Sequence, residues 1–271
     1  MIFRREYKIE GYVKSDVGTV RENNEDNFLL GRLINRDSRA KQEASFSTWA
    51  IGEWNCFGVF DGIGGGEKGE LASLFSAQVF EGKGKKLKEC HSYKEVELVL
   101  QKAFLEANNR IILAGRNSPV CGTTGTILVT DGIAAKVFHV GDSRCCLCRE
   151  GENYRLTKDQ TTAQLKLDIG IYRSLEDATQ RERHQLTEYI GRDLTQESLS
   201  PEEGEWIDFR ERDVFLLSSD GFHDFCDPGD TARILSQGGS VREMADTLLA
   251  MALQKESDDN LTVMLVRKIR E

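Results

Sequence analysis

Acidic side chains stand at the edges of apolar or extended runs at five places in this 271-residue sequence. In each place a residue that favours turns follows the carboxylate. The five places are Glu25-Asp26-Asn27, Phe60-Asp61-Gly62, Gly141-Asp142-Ser143, Ser219-Asp220-Gly221 and Asp258-Asp259-Asn260. Taken singly, each Asp is more typical of a turn or a cap than of a metal ligand.

Taken together, these carboxylates predict a metal site. If the strand ends converge, the carboxylates repel one another, by about 1 kcal/mol per pair at 4 Å in water and about 4 kcal/mol at an effective dielectric near 20. Two divalent cations would neutralise Asp26, Asp61, Asp220 and Asp259 charge for charge. Hard oxygen ligands favour Mg²⁺ or Mn²⁺ over zinc. The spacing does not itself establish that the strand ends meet.

The surrounding sequence predicts elements that position these residues. Helical stripes of apolar residues predict helices over 67–80, 94–114 and 241–254. Extended runs predict strands around a turn in 11–33, and at 55–61, 124–130, 133–140, 143–149, 213–219 and 261–266. Asp131-Gly132 between two of these runs predicts a hairpin. Hairpin-linked strands with helices in pairs favour a layered α+β domain over a βαβ wind.

Two segments fit this scheme poorly. Residues 32–53 predict a long loop or an additional hairpin between two strands. Residues 164–183 are polar and without clear periodicity, which predicts an irregular and mobile segment.

Charge and cysteine usage limit the class of protein. The chain has 36 Lys and Arg against 45 Asp and Glu, a net charge of −9, which disfavours a nucleic-acid partner. No apolar run could span a bilayer, and charged residues near Met1 argue against a signal peptide, so we expect a cytoplasmic protein without a membrane partner. Seven cysteines form no disulfide framework, and Cys145, Cys146 and Cys148 are more typical of a core strand than of a zinc site.

The motifs together resemble the type 2C, or PPM-type, metal-dependent serine/threonine protein phosphatases, and most closely their compact bacterial branch. Seven motifs occur in the order of that family and cover nearly the whole chain. They are Asp16–Asp26, Val59–Gly66 with Gly69–Ser73, Gly122–Thr124, His139–Arg144, Leu156–Asp159, Leu217–Gly221 and Asp259–Val263.

The resemblance implies a four-layer α-β-β-α sandwich, with two central antiparallel sheets flanked by pairs of antiparallel helices. It implies one phosphatase catalytic domain over 1–271, a phosphoric monoester hydrolase that acts in signalling. Its partners would be phosphorylated proteins. It would hydrolyse phosphoserine and phosphothreonine by direct attack of a water that bridges two divalent metals, Mn²⁺ or Mg²⁺. We expect a monomer.

The resemblance also implies site residues. Asp61 would bridge the two metals, and Arg21 would bind the phosphate of the substrate with a planar two-point contact. The further metal-site residues are Gly62 through its carbonyl, Asp220 and Asp259 at the second metal, Glu25 and Asp26 through metal-bound waters, and Asp142, Asp220 and Asp224 around a third, weaker ion.

Several positions depart from the family pattern. Ile63 stands where many eukaryotic members carry a His proposed as the general acid, so the leaving oxygen must take its proton from water or another group. Gln160 replaces a common His after Asp159, and the flap over 161–185 diverges most. We interpret His223 as a packed or exposed loop residue and His139 as a core or supporting residue.

Two other functions remain open from sequence. One is a catalytically silent regulatory module of the same fold that binds phosphoproteins, against which the intact Asp61, Asp220 and Asp259 count. The other is a phosphatase of a partner-switching pathway, acting on a small regulatory protein.

Overall fold

A computed structural model describes residues 7–37, 41–64, 67–115, 121–193, 199 and 201–270 of the chain. The motif Val59–Gly66 therefore lies partly outside the described residues, at Gly65 and Gly66. Strands and helices are numbered along the chain. Within these ranges, most strands fall into two antiparallel sheets, sheet A and sheet B.

Sheet A has the order β11-β10-β14-β15-β1-β4 over the described residues. Its strands are β1 (Tyr7–Asp16), β4 (Gln42–Thr48), β10 (Arg144–Arg149), β11 (Glu152–Arg155), β14 (Val214–Ser218) and β15 (Leu261–Arg270). All pairs are antiparallel, and β1 pairs with β15 over its full length.

Sheet B has the order β12-β9-β8-β5-β2-β3 in the described chain, and β13 also pairs with β9. Its strands are β2 (Asn27–Leu30), β3 (Leu33–Ile34), β5 (Asn55–Phe60), β8 (Gly125–Thr130), β9 (Ala134–Val140), β12 (Glu202–Glu203) and β13 (Ile207–Asp208). A separate short pair joins β6 (Gly62–Ile63) to β7 (Gly122–Thr123).

Helices cover the outer faces of both sheets. The antiparallel pair α1 (Glu67–Lys88) and α2 (Tyr93–Gly115) packs on sheet B, and the pair α6 (Pro228–Ser236) and α7 (Val241–Gln254) packs on sheet A. The remaining helices are short: α3 (Thr162–Asp168), α4 (Gln180–His184) and α5 (Asp220–His223), with a 3₁₀ turn at Leu175–Asp177. No described helix is long and apolar enough to cross a membrane.

Strand periodicity explains the layers. In β5, Phe57 and Val59 point into the apolar layer between the two sheets, whereas Cys56 and Phe60 point into the layer under α1 and α2. A third apolar layer lies between sheet A and α7, around Leu248. The described core therefore has three apolar layers and four layers of elements, which confirms the predicted α-β-β-α sandwich.

The segment 32–53 differs from the predicted loop or hairpin. β3 closes sheet B beside β2, but β4 crosses to sheet A and becomes its edge strand beside β1. The side chains of β4 alternate between half-buried and exposed, as expected for an edge strand with one solvated face. Its Phe46 packs edge-on against Phe57, with ring centroids 5.2 Å apart, so this segment links the two sheets.

The segment 164–183 is not irregular, and that prediction was wrong. It contains most of α3, the 3₁₀ turn and most of α4. Local capping makes these short helices: the Thr161 hydroxyl accepts from the Gln164 N–H at the start of α3, and Thr179 and Glu182 form a capping box at the start of α4. Periodicity misses helices this short, because they complete only one or two turns.

Candidate metal centre

The predicted carboxylates meet because the strand registers bring their strand ends together. Asp26 directly precedes β2 and Asp61 directly follows β5, and the register pairs Asn27 with Phe60. In sheet A, Ser218 at the end of β14 pairs with Val263, which places Asp220 and Asp259 at one end of the sheet. The convergence that the sequence left open is therefore present.

Asp26 is the most enclosed of these carboxylates. The hydroxyls of Ser219 and Thr262 both donate to its Oδ2 at 2.7 Å, whereas its Oδ1 is buried without a hydrogen-bond partner. Burial raises its pKa to about 7 although these hydroxyls lower it, and the charges of Asp220 and Asp259 raise it further.

The backbone around Asp61 is fixed from the neighbouring strand. Its N–H donates to Thr124 Oγ1 at 2.9 Å, and its carbonyl accepts from the Thr124 N–H at 2.8 Å and from the Thr123 hydroxyl at 2.7 Å. Burial raises the pKa of the Asp61 carboxyl well above its usual range, and the charges of Asp220 and Asp26 raise it further.

Gly62 lies where three backbone segments touch. A Cβ at this position would lie 2.4 Å from the carbonyl oxygen of Gly69 and 2.7 Å from that of Glu25, so a larger residue cannot fit. The Glu25 carboxylate itself lies against Gly69, where a Cβ would lie 2.2 Å from Oε2. This places its negative charge at the first turn of α1, where the helix dipole favours it.

Asp142, Asp220 and Asp224 line one cleft of about 570 Å³ beside this cluster. Gln160 holds the Asp142 turn in place, because its Oε1 accepts from the Gly141 N–H at 2.8 Å. Burial raises the pKa of Asp142 well above its usual range, and that of Asp224 more modestly; the charge of Asp220 adds to both. Burial would also raise the pKa of Asp220, but the neighbouring His184 and Asp61 side chains lower it.

Arg21 lies at the rim and contacts a predicted metal ligand. Its Nη2 donates to Asp259 Oδ2 at 2.8 Å, and about half of the side chain is exposed. The loop that carries it is fastened to the start of β15, because the Asn260 side-chain amide donates to the carbonyls of Val17 and Asn23 at 2.9 and 3.0 Å.

His184, at the end of α4, is the site residue that the sequence analysis missed. Its Nδ1 lies 3.6 Å from Asp220 Oδ2 and 3.6 Å from Asp224 Oδ2. The nearby Asp220 carboxylate raises the pKa of His184 to about 9, and the charge of Asp224 adds to this against the effect of burial. The spacing of Thr179 and Glu182 signals the helix start, but nothing in the sequence places this helix beside Asp220.

The other histidines near the site are packed, as predicted. His139 is buried and its Nε2 lies 2.7 Å from the Lys158 carbonyl oxygen, while His223 packs with Nδ1 3.2 Å from the Ser218 hydroxyl. Burial lowers the pKa of both rings, so both are neutral near pH 7.

These residues fit divalent cations. Burial and mutual repulsion raise the pKa values of Asp26, Asp61 and Asp142 together, so the cluster cannot be fully ionised without added positive charge. The unpartnered Asp26 Oδ1 is an available acceptor for a cation or for its water. Converging carboxylate oxygens are the donors that Mg²⁺ and Mn²⁺ prefer.

The sequence matches the family described as Protein phosphatase 2C over residues 16–166, which is more than half of the chain. The chain belongs to the protein phosphatase 2C family. It is therefore a metal-dependent protein phosphatase, which confirms the resemblance and the predicted class of enzyme. No comparison favours the catalytically silent alternative.

Three known proteins illustrate the similarity. The chain is 29% identical to mitochondrial protein phosphatase 1K of Xenopus laevis over 91% of its own length, and spans 65% of that protein. It is 28% identical to the serine/threonine phosphatase stp of Listeria innocua, covering 94% of each chain. The catalytic domain of the serine/threonine protein phosphatase PstP, solved with two manganese ions, superposes with a TM-score of 0.73 at 26% identity, covering 97% of this chain and 99% of that one.

Proposed function

We propose that this phosphatase hydrolyses phosphoserine and phosphothreonine in proteins by direct attack of water at phosphorus, in a site that holds two Mn²⁺ or Mg²⁺ ions. The observation that carries the proposal is the meeting of Asp26, Asp61, Asp220 and Asp259 at adjoining strand ends, with one buried Asp26 oxygen unpartnered.

The residues of the cluster have separate tasks in this proposal. Two divalent cations, when bound, supply positive charge for the phosphate dianion and acidify a shared water. Asp61 and the Gly62 carbonyl would help to hold these cations, and Asp220 and Asp259 would hold the second of them. Glu25 and Asp26 orient water, since Asp26 Oδ2 is already saturated by two hydroxyls and only its Oδ1 is available.

Arg21 binds the phosphate of the substrate. The guanidinium now bonded to Asp259 lies at the rim of the cluster, half exposed, and is held there by the Asn260-fastened loop. When a cation satisfies the Asp259 charge, the guanidinium is free to donate two parallel bonds to phosphate oxygens. Ile63 has no proton to give, so the leaving serine or threonine oxygen takes its proton from water or from another group.

Charge and strand pairing bear on the partners and the domain organisation of the protein. We propose a cytoplasmic monomer that acts on phosphoproteins in signalling, and a single catalytic domain over 1–271. The net charge of −9 supports the absence of a nucleic-acid partner. The pairing of β1 with β15, the first and last strands that the structure describes, supports one domain, because it joins distant parts of the sequence within one sheet.

The decisive experiment compares hydrolysis with and without cations. Tag-free protein should hydrolyse an aryl phosphate and a phosphothreonine peptide with added Mn²⁺ or Mg²⁺, and EDTA should stop both reactions. Acid-quenched protein from ³²P-labelled substrate should carry no label, since water attacks phosphorus directly. Turnover that resists EDTA contradicts the two-cation site, and labelled protein contradicts direct attack.

A further inference from the structure

We propose that His184 is a metal ligand contributed by the flap, which joins Asp220 and Asp224 around a third cation and makes this third site select a first-row transition-metal dication over Mg²⁺. The inference deepens the proposed function and rests on it, because Asp220 also belongs to the two-cation site.

The geometry is close to that of a ligand set. Nδ1 of His184 lies 3.6 Å from one carboxylate oxygen of each Asp, and the three ligand atoms all lie within 4.8 Å of one another. Ligand atoms that share one ion at about 2.1 Å are roughly 3.0 to 3.5 Å apart in octahedral or tetrahedral geometry. The two 3.6 Å separations between His184 and the carboxylates would need to shorten by only a few tenths of an ångström for these atoms to share one ion.

Asp142 provides an independent indication of a ligand in the same cleft. The residue is only 7% exposed and lines the cleft together with the three candidate ligands. In the described part of the chain its carboxylate has no hydrogen bond and no ion pair. A largely buried carboxylate is costly to ionise, so a cation in this cleft would stabilise the charge of Asp142.

The nearest arginines do not meet this need. Arg144 makes two bonds to Asp159, at 3.1 and 2.7 Å, and Arg155 also pairs with Asp159. Across the described residues, no Lys or Arg lies within salt-bridge distance of Asp142, Asp220 or Asp224. Arg183 of the flap also lines this cleft, but among the described basic residues of the flap it is His184 that lies within 4 Å of Asp220 and Asp224.

Local structure holds His184 in this position. Glu182, two residues earlier, accepts from the Thr179 N–H at 2.9 Å, from the Tyr172 hydroxyl at 2.9 Å, and from Lys166. The Gln185 carbonyl, one residue later, accepts from the Thr162 N–H at 2.8 Å. The chain on both sides of His184 is thus held in place, so the flap backbone loses little conformational freedom when a cation binds.

The ligand type sets the choice of metal. Mg²⁺ prefers oxygen ligands and releases water reluctantly, whereas first-row transition-metal dications, of which Mn²⁺ is the weakest binder, accept an imidazole nitrogen more readily. A cation bound to His184, Asp220 and Asp224 would also tie α4 in the flap to α5 at the end of β14. The third ion would then order the wall of the substrate cleft, and Mg²⁺ would do so poorly.

The test uses tag-free protein with Mn²⁺ as the probe, in the wild type, in His184→Gln and in His91→Gln. His91 is exposed at the start of the connection into α2 and serves as a matched histidine control. With three equivalents of Mn²⁺, pulsed EPR should detect a ¹⁴N coupling in the wild type and in His91→Gln, but not in His184→Gln. In titration calorimetry, the affinity of the weakest Mn²⁺ site should fall at least about tenfold in His184→Gln. Loss of even an outer-shell partner of a metal commonly lowers metal affinity by about 10- to 100-fold.

A second measurement follows the flap itself. Amide exchange over 162–184 should slow with Mn²⁺ and much less with Mg²⁺ in the wild type, and Mn²⁺ should not slow it in His184→Gln. Absence of nitrogen coupling in the wild type, or its persistence in His184→Gln, overturns the inference. If the inference is overturned but His91→Gln still shows cation-dependent hydrolysis and tight Mn²⁺ binding, the proposed function stands. If the hydrolysis and the tight binding are also missing, the proposed function and the inference about His184 both fail.

Discussion

Two parts of this site are positioned in opposite ways: the carboxylate cluster at the strand ends, which we call the floor, and the flap over 161–185, which we call the wall. The floor carries Asp26 and Asp61, whose positions depend on strands from distant parts of the sequence; the hydroxyls that bind Asp26 come from Ser219 and Thr262, 193 and 236 residues away. The wall carries His184 on a five-residue helix, whose geometry is set within the flap by Thr179 and Glu182.

This difference implies that the position of the floor is fixed by the fold, whereas the position of the flap can change. The floor cannot move without breaking the pairing of both sheets, so we expect the proposed cation sites there to be as stable as the fold. The flap can open by losing a few local hydrogen bonds while the three apolar layers stay intact. Changes in the floor should therefore abolish turnover, whereas changes in the wall should alter metal choice and cleft order.

Asp61→Asn should have the largest effect. It preserves the shape of the side chain but removes a charge from the centre of the floor, and we expect turnover to fall by about 1,000-fold or more, the upper range for loss of one electrostatic group. Turnover of an aryl phosphate at saturating Mn²⁺ measures this, and circular dichroism checks the fold. Asp227→Asn is the matched control, because it makes the same change at the N-cap of α6, where Asn also caps well. Normal turnover in Asp61→Asn would show that the floor is not the catalytic centre.

Arg21→Ala tests the rim of the floor. Losing charge-assisted hydrogen bonds worth about 1.5–3 kcal/mol should lower kcat/KM for phosphate esters by about 10- to 100-fold, mainly through KM. Mn²⁺ binding should weaken less or become tighter, because the guanidinium no longer occupies Asp259. Arg36→Ala removes an exposed arginine paired with Glu81 and should change neither quantity. An unchanged KM in Arg21→Ala would exclude Arg21 from phosphate binding.

The cation-free floor should be more stable in mildly acidic solution. The pKa of Asp26 is about 7 in the folded chain and near 3.9 when unfolded, so the folded state binds the proton more tightly and gains stability as pH falls through 7. Between pH 8 and pH 6 this group alone contributes about 1 kcal/mol, or roughly 2–4 °C in melting temperature.

Calorimetric scans in EDTA at pH 8 and pH 6 measure the change in melting temperature. The Asp26→Asn variant should lack the part of this change that comes from Asp26. The raised pKa of His184 acts in the same direction, because protonation stabilises the fold until pH rises through about 9. The difference between the wild type and Asp26→Asn isolates the floor. Equal shifts in the two proteins would mean that Asp26 does not titrate near 7.

Glu182→Ala should have the smallest global effect, because it changes the wall alone. The variant loses the capping box of α4 and the bonds from Lys166 and Tyr172, so amide exchange over 162–184 should accelerate while the melting temperature hardly changes. Glu243→Ala removes the equivalent capping box of α7 and should leave the flap unaffected. If Glu182→Ala lowers the melting temperature as much as a core substitution does, the flap is not independent of the floor.

Sequence reasoning reached most of the floor and little of the wall. Alternating apolar runs that end in Asp identified Asp61 and Asp220, because both the strand and its end are local patterns. Sequence reasoning could not assign β4 to sheet A, because the weak alternation of β4 fits an edge strand in either sheet. Asp227-Pro228 signalled the start of α6 and was overlooked. His184 could not be placed, because its contact with Asp220 depends on how the flap folds back.

The ten-residue pairing of β1 with β15 has a consequence for how the chain folds. Asp259 lies just before β15, and Tyr7 pairs with Arg270, so this ladder closes a loop of more than 250 residues. Such high contact order slows folding, because the entropy of closure is lost before the contacts form. A chain synthesised only as far as residue 258 therefore lacks both a central strand of sheet A and one acid of the cluster, and it becomes a phosphatase only when β15 docks.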